Sequence, residues 1–168
     1  AHMTPSENVI QELQKIPWFQ ELKPEHVRKL ASIAEIRTVQ PGDVLFREGD
    51  IEDFVYIVLS GRIALDLRVP HRGRVRFYTA DRWDIFGWSG ATPEVRQRTA
   101  GASAVMESTV ARLNATEMRR LCDEDHDLGY QVMKRLVKVI AGRLLVTRIQ
   151  LLDMFAHLHG DLGNRPFV

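Results

Sequence analysis

The stretch TVQPGDVLFREGDIEDFVYIVLSGRIALDLRV, residues 38–69, most limits what this chain can become. Apolar and polar residues alternate in short runs, and Pro41-Gly42, Gly49-Asp50 and Ser60-Gly61 interrupt them at close intervals. Alternation scatters apolar residues around a helix but gathers them on one face of a strand, so the segment predicts short antiparallel strands joined by tight turns. Similar runs at 74–79, 101–106 and 108–114 bring the strands to seven or eight, at a spacing that fits a sandwich or jelly roll.

Helical periodicity flanks this β segment on both sides. Val9, Ile10 and Leu13 predict a helix near residues 6–15, capped by Ser6 and ended by Pro17. Pro24 opens a second helix reaching about residue 35, with Val27, Leu30, Ala31 and Ala34 on one stripe. After the strands, Thr116 is expected to cap a short helix with Leu121 and Cys122 inward, Arg119 leaving only half of a capping box. A long proline-free helix follows over 127–158, where Val132, Leu136, Val139, Ile140, Leu144, Leu145, Ile149, Leu151, Leu152 and Phe155 form more than one apolar stripe. One stripe is expected to cover the β core and another to meet a second copy of the chain. Ala1-His2-Met3 reads as a cleavage and cloning scar, residues 4–158 as one domain, and 159–168, with its glycines and proline, as a flexible tail.

A net charge of +1 with 27% charged residues supplies no global attraction to nucleic acid or anionic lipid. The single cysteine, Cys122, excludes an intrachain disulfide and reads as a buried apolar residue; no apolar run approaches the ~20 residues of a membrane span. These features point to a cytoplasmic protein. No phosphate-binding P-loop, nucleophile elbow or HExxH motif occurs, which predicts no enzyme. No metal site is expected: DEDHDLG at 123–129 places its glycine one position late for a calcium loop, with Lys134 where a bidentate acid belongs. His157 and His159, two apart on a helix, diverge. Arg72, Arg74 and Arg76 alternate on a hairpin and predict a basic stripe on a solvated face.

In their order and spacing, PGDVLFREGD at 41–50, YIVLSGRIAL at 56–65, Phe86-Gly87, Arg98-Thr99-Ala100 and the long final helix resemble the cyclic nucleotide-binding domains of the Crp/Fnr and kinase regulatory-subunit superfamily, over about residues 8–156. The resemblance implies a mainly β fold, an eight-stranded β-roll or jelly roll with N-terminal helices and a long C-terminal helix, the ligand lying between roll and helix. It also implies a phosphate cassette, in which a short helix after a glycine and a following arginine hold the cyclic phosphate. A Glu directly after the glycine takes the ribose 2′-OH. By position Gly87 matches the turn, Arg98 the phosphate arginine, and Thr99 and Ala100 its small neighbours. A helix N-terminus and a guanidinium fork suit those roles chemically.

The acid has no counterpart, because Trp88 stands in its place, followed by Ser89 and Gly90. Trp88 either fills the core behind the turn, plugs the pocket, or offers a flat face to a planar ligand. Ser89 presents only a neutral oxygen; without a charged acceptor worth about 1.5–3 kcal/mol, a cyclic nucleotide should bind roughly ten- to hundredfold more weakly. In GRLLVTR at 142–148, Thr147 matches the family's hydroxyl to the base, and Arg148 replaces a second small hydroxyl residue. FGWS, with LGY at 128–130 and TRIQLLD at 147–153, is similar to short bacterial proteins made of this domain alone.

The expected function is a non-catalytic, cofactor-free sensor that binds cyclic AMP, cyclic GMP or a related small anion near Phe86, Gly87, Trp88, Ser89, Gly90, Arg98, Thr99, Ala100, Thr147 and Arg148. It dimerises through residues 127–158 and signals by a shift of that helix. Without a helix-turn-helix after the long helix, direct DNA binding is not expected. Two other readings stand beside it: an interaction and dimerisation module whose pocket Trp88 closes, and a sensory fragment of a Crp/Fnr-type transcription regulator.

Overall fold

In the computed structural model, which describes residues 3–95 and 97–163, residues 34–114 form eight strands. These are β1 (Ala34–Val39), β2 (Val44–Phe46), β3 (Phe54–Ser60), β4 (Ile63–Val69), β5 (Gly73–Ala80), β6 (Ile85–Phe86), β7 (Gly101–Ala104) and β8 (Ser108–Asn114). They form two four-stranded antiparallel sheets, ordered β1-β8-β3-β6 and β2-β7-β4-β5. Residues from both sheets make one core: Phe46, Ile63, Leu65, Ala102 and Ala104 from one, Tyr56, Val58, Phe86 and Val110 from the other. Tyr56 and Phe86 stack at 4.9 Å between ring centroids. Central strand β3 is buried continuously from Val55 to Leu59, so its apolar residues serve both faces instead of alternating.

The flanking helices depart from expectation at their ends, each time because a side chain or strand pairing intervenes. Helix α1 spans Pro5–Gln14 and is capped by Thr4, not Ser6. The Thr4 and Glu7 side chains each accept from the other residue's main-chain N–H, a complete capping box with Pro5 at the first helical position. Pro17 begins a single 3-10 turn, Pro17–Glu21. Helix α2 spans Pro24–Ser32, and Ala34 pairs with Leu113 as the first residue of β1, which ends the helical stripe early.

Helix α3, Ala115–Glu124, is capped by Asn114, whose side chain accepts from the Glu117 N–H at 2.9 Å. Strand β8 runs through Asn114, so Thr116 falls inside the helix and its hydroxyl donates to Asp53 instead of capping. Cys122 is half-buried, and burial pushes its thiol pKa up. Helix α4 runs from His126 to Gly163, so residues 159–163 of the expected tail are helical, while 164–168 lie outside the described residues. Arg72 sits in the β4–β5 turn; only Arg74 and Arg76 of the expected stripe are on β5, and Arg74 pairs with Asp66 at 2.9 Å.

The chain divides into two compact units, residues 1–130 with the whole roll and residues 131–168 with most of α4. In the second unit Val137, Leu144, Leu145, Ile149, Leu152 and Phe155 are exposed. Among the described residues, no helix is long and apolar enough to cross a membrane.

Candidate functional site

The connection from β6 to β7 builds the site. Gly87 ends β6 with φ of 67°, the left-handed region, and turns the chain into a 3-10 turn, Trp88–Ala91. Farther on, Arg98 is fixed through its main chain: its N–H donates to Asp50 O at 2.8 Å, its C=O accepts from Gly49 N–H at 2.7 Å, and Gln97 bridges to Ile51. That anchoring sends the Arg98 side chain back beneath the glycine turn. Nη1 donates to Gly87 O at 2.8 Å across eleven residues of sequence, and Nη2 donates to Phe54 O. A side chain on Gly87 would bring Cβ to 2.9 Å from Arg98 Nη1, so the guanidinium would have to shift to admit one, and the left-handed backbone favours glycine as well.

Arg98 is buried, with its guanidinium 4.3 Å from the centre of the Phe46 ring and 5.9 Å from that of Tyr56. Burial pulls its pKa below the ordinary arginine value, and the nearby Glu52 carboxylate opposes that pull. Glu52 Oε2 stands 3.6 Å from Arg98 Nε, too long for a hydrogen bond, and both atoms are buried without a hydrogen-bond partner. The other carboxylate oxygen, Oε1, accepts from the Tyr56 hydroxyl, whose pKa is pushed up by burial first and by Glu52 second. The interior therefore holds a charged pair in contact with aromatic rings, one partner incompletely bonded on each side.

On the outer side of the same turn lies a cleft of about 280 Å³, lined by Glu52, Asp53, Gly90, Pro93, Thr116 and Arg119 among others. Arg119 of α3 donates to Gly90 O and, at 3.0 Å, to Thr116 Oγ1, and lies 3.6 Å from Asp53. Asp53 accepts from the Thr116 N–H and hydroxyl. Gly90 is buried, and a Cβ there would meet Ala115 Cβ at 3.3 Å and Phe54 O at 3.4 Å.

Of the residues singled out from sequence, Phe86, Gly87, Gly90 and Arg98 come together around this turn. Phe86 is in the core stacked on Tyr56, Trp88 and Ser89 are half-buried in the 3-10 turn, Thr99 is exposed and Ala100 half-buried. Thr147 and Arg148 are exposed residues of α4, and the Thr147 hydroxyl donates to Arg143 O at 2.9 Å. Sequence reasoning missed Glu52, Tyr56 and Arg119. An acid beside another acid after a Gly-Asp turn looks like solvated loop, and only tertiary packing turns Glu52 toward Arg98.

Residues 36–125 match the model of the cyclic nucleotide-binding domain family. A cyclic nucleotide-binding domain from Methylobacillus flagellatus superposes with a TM-score of 0.73 at 22% identity, over 89% of this chain and 83% of that one. A cyclic nucleotide-binding-like protein from Brucella abortus is 31% identical, with a TM-score of 0.54, over 69% of this chain and 98% of that one. Among curated proteins, the Pycsar effector protein BcPycTIR of Burkholderia cepacia is 27% identical over 115 residues, 68% of this chain but only 36% of its own length.

Proposed function

The chain belongs to the cyclic nucleotide-binding domain family, and from that premise we propose that it is a non-catalytic sensor whose pocket takes a cyclic nucleotide or a related small anion with modest affinity. The supporting observation is the buried Arg98 held beneath Gly87, with Nε facing a carboxylate it does not hydrogen-bond. A desolvated guanidinium with an unused donor gains charge-assisted hydrogen bonds from an incoming phosphate that no internal group now supplies. The ligand would meet Phe86, Gly87, Trp88, Ser89, Gly90, Arg98, Thr99 and Ala100. Trp88 occupies the position of the ribose acid, so the nucleotide would lose that charged acceptor, and cyclic AMP and cyclic GMP are the first ligands to try. The exposed apolar residues of α4 support a homodimer joined through that helix, whose shift would carry the signal.

One observation favours a second reading. Both Nη atoms of Arg98 already donate to main-chain carbonyls, and the Phe46 and Tyr56 rings pack against the guanidinium, with Phe86 stacked on Tyr56. A pocket closed in this way would make the chain a ligand-free interaction module.

Calorimetry with cyclic AMP and cyclic GMP to millimolar concentration, on wild type and on Arg98→Lys, decides between them. Lysine keeps the charge but loses the fork, which limits damage to the fold. The sensor reading expects saturable heat in wild type and about tenfold weaker binding in the variant. The absence of both heat and thermal shift with either nucleotide would overturn the cyclic-nucleotide version and favour the interaction module. Light scattering across a dilution series tests the dimer; a monomer at all concentrations refutes it.

A further inference from the structure

A second charged cluster joins α2 to the junction of α3 and α4. Its centre is His26, whose side chain is buried on the inner face of α2 beside Val27, Leu30 and Ala31. His26 Nε2 lies 3.2 Å from Asp125 Oδ2 and 3.7 Å from Glu25 Oε1, yet neither ring nitrogen makes a hydrogen bond. A buried polar group left unbonded forfeits the water it gave up on folding, which is costly. Native proteins leave few such groups, and an ion is one of the explanations they admit.

We infer that Glu25, His26 and Asp125 form a binding site for a zinc-type divalent cation. One donor atom from each residue lies within 4.8 Å of the others. Tetrahedral zinc, with bonds of about 2.0–2.2 Å, needs donors about 3.3–3.6 Å apart. The His26 nitrogen has its two carboxylate neighbours at 3.2 and 3.7 Å, which brackets that spacing. One imidazole with two carboxylates suits zinc better than calcium or magnesium, which select all-oxygen sites. Three protein donors leave the fourth position for water.

The surroundings fit this assignment. Asp125 is oriented by its other oxygen, Oδ1, which accepts from the Leu128 N–H at 3.1 Å, the kind of outer contact that holds a metal ligand in place. Positive charge already stands at the site, since Lys29 Nζ lies 2.7 Å from Asp125 Oδ2. The Lys29 side chain is 43% exposed, so the ammonium can swing into water when a dication takes its place. Bound metal would tie α2 to the point where α4 begins, replacing a one-to-one ion pair with a three-way link. No spacing motif announces the site, because α2 and the α3–α4 junction lie far apart in sequence.

The test is zinc titration of the full chain against a chromogenic chelator, with visible absorption of the cobalt-substituted protein as a second readout. His26 is buried and its replacement threatens the packing of α2, so the deciding variants alter the exposed members. Glu25, 57% exposed, becomes Glu25→Gln, and Lys29 becomes Lys29→Met. Wild type should take one equivalent at this site and give the intense bands of four-coordinate cobalt. Glu25→Gln should weaken zinc by about tenfold or more, and Lys29→Met, by removing a competing charge, should tighten it by about tenfold. The remaining histidines supply a background that neither substitution moves. Titrations of both variants that coincide with wild type, or cobalt spectra of six-coordinate type only, overturn the inference.

Discussion

Two arginines hold the same turn, one from the interior and one from the surface. Arg98 donates to Gly87 O and faces Glu52; Arg119 donates to Gly90 O and faces Asp53, the next acid in the chain. Both arginine–acid distances are 3.6 Å, so the pairs differ mainly in hydration: the Arg98 side chain is 3% exposed, that of Arg119 27%. A dry charge depends on fixed partners, and losing one strands the other, whereas a hydrated charge turns to water. The inner pair is thus part of the fold and, in the function proposed above, also the group that would meet the anion, while the outer pair only clamps α3 to the turn.

The largest effect that tests this contrast is Arg98→Ala, which leaves Glu52 facing apolar rings and should cost about 3–5 kcal/mol in urea unfolding. A cost no greater than that of the outer arginine would erase the distinction. Gly87→Ala comes next: the left-handed backbone alone should cost about 1–2 kcal/mol, and the added methyl pushes on the Arg98 guanidinium, so chemical denaturation should show a midpoint well below wild type. Glu52→Gln should cost only about 1 kcal/mol, because the amide oxygen still accepts from Tyr56 and the Arg98 guanidinium, unlike a stranded Glu52, keeps two main-chain acceptors and the Phe46 ring. Freed of its facing carboxylate, Arg98 should then bind a cyclic nucleotide more tightly by calorimetry; unchanged or weaker binding would mean Glu52 does not oppose the ligand. Arg119→Ala, at the surface, should fall at or below about 1 kcal/mol, with nucleotide affinity unaltered.

How much of this was legible depended on how local the cause was. Alternation and turn residues act over a few positions, and the strand expected at 108–114 is observed at those bounds, that at 74–79 as Gly73–Ala80. Helix ends were less legible. Ala34 satisfies a helical stripe, but its pairing with Leu113 draws it into β1, and Thr116 has a capping side chain yet lies two residues past the cap because β8 extends through Asn114. The Gly87–Arg98 association was visible only through the resemblance, since a lone arginine and a lone glycine carry no signal. Glu52 and Tyr56 were invisible, because their roles come from burial across the two sheets.

Ile51 has a practical consequence. It is 80% exposed, bridges to Gln97 immediately before Arg98, and directly precedes Glu52. An Ile51→Cys substitution would place an open thiol one peptide bond from Glu52 and opposite Gln97, the residue before Arg98. The native Cys122, half-buried and with its thiol pKa raised, should lag far behind it in alkylation. A dye attached at position 51 would convert rearrangement of the buried pair into an optical signal, making the chain a ready scaffold for a fluorescent biosensor.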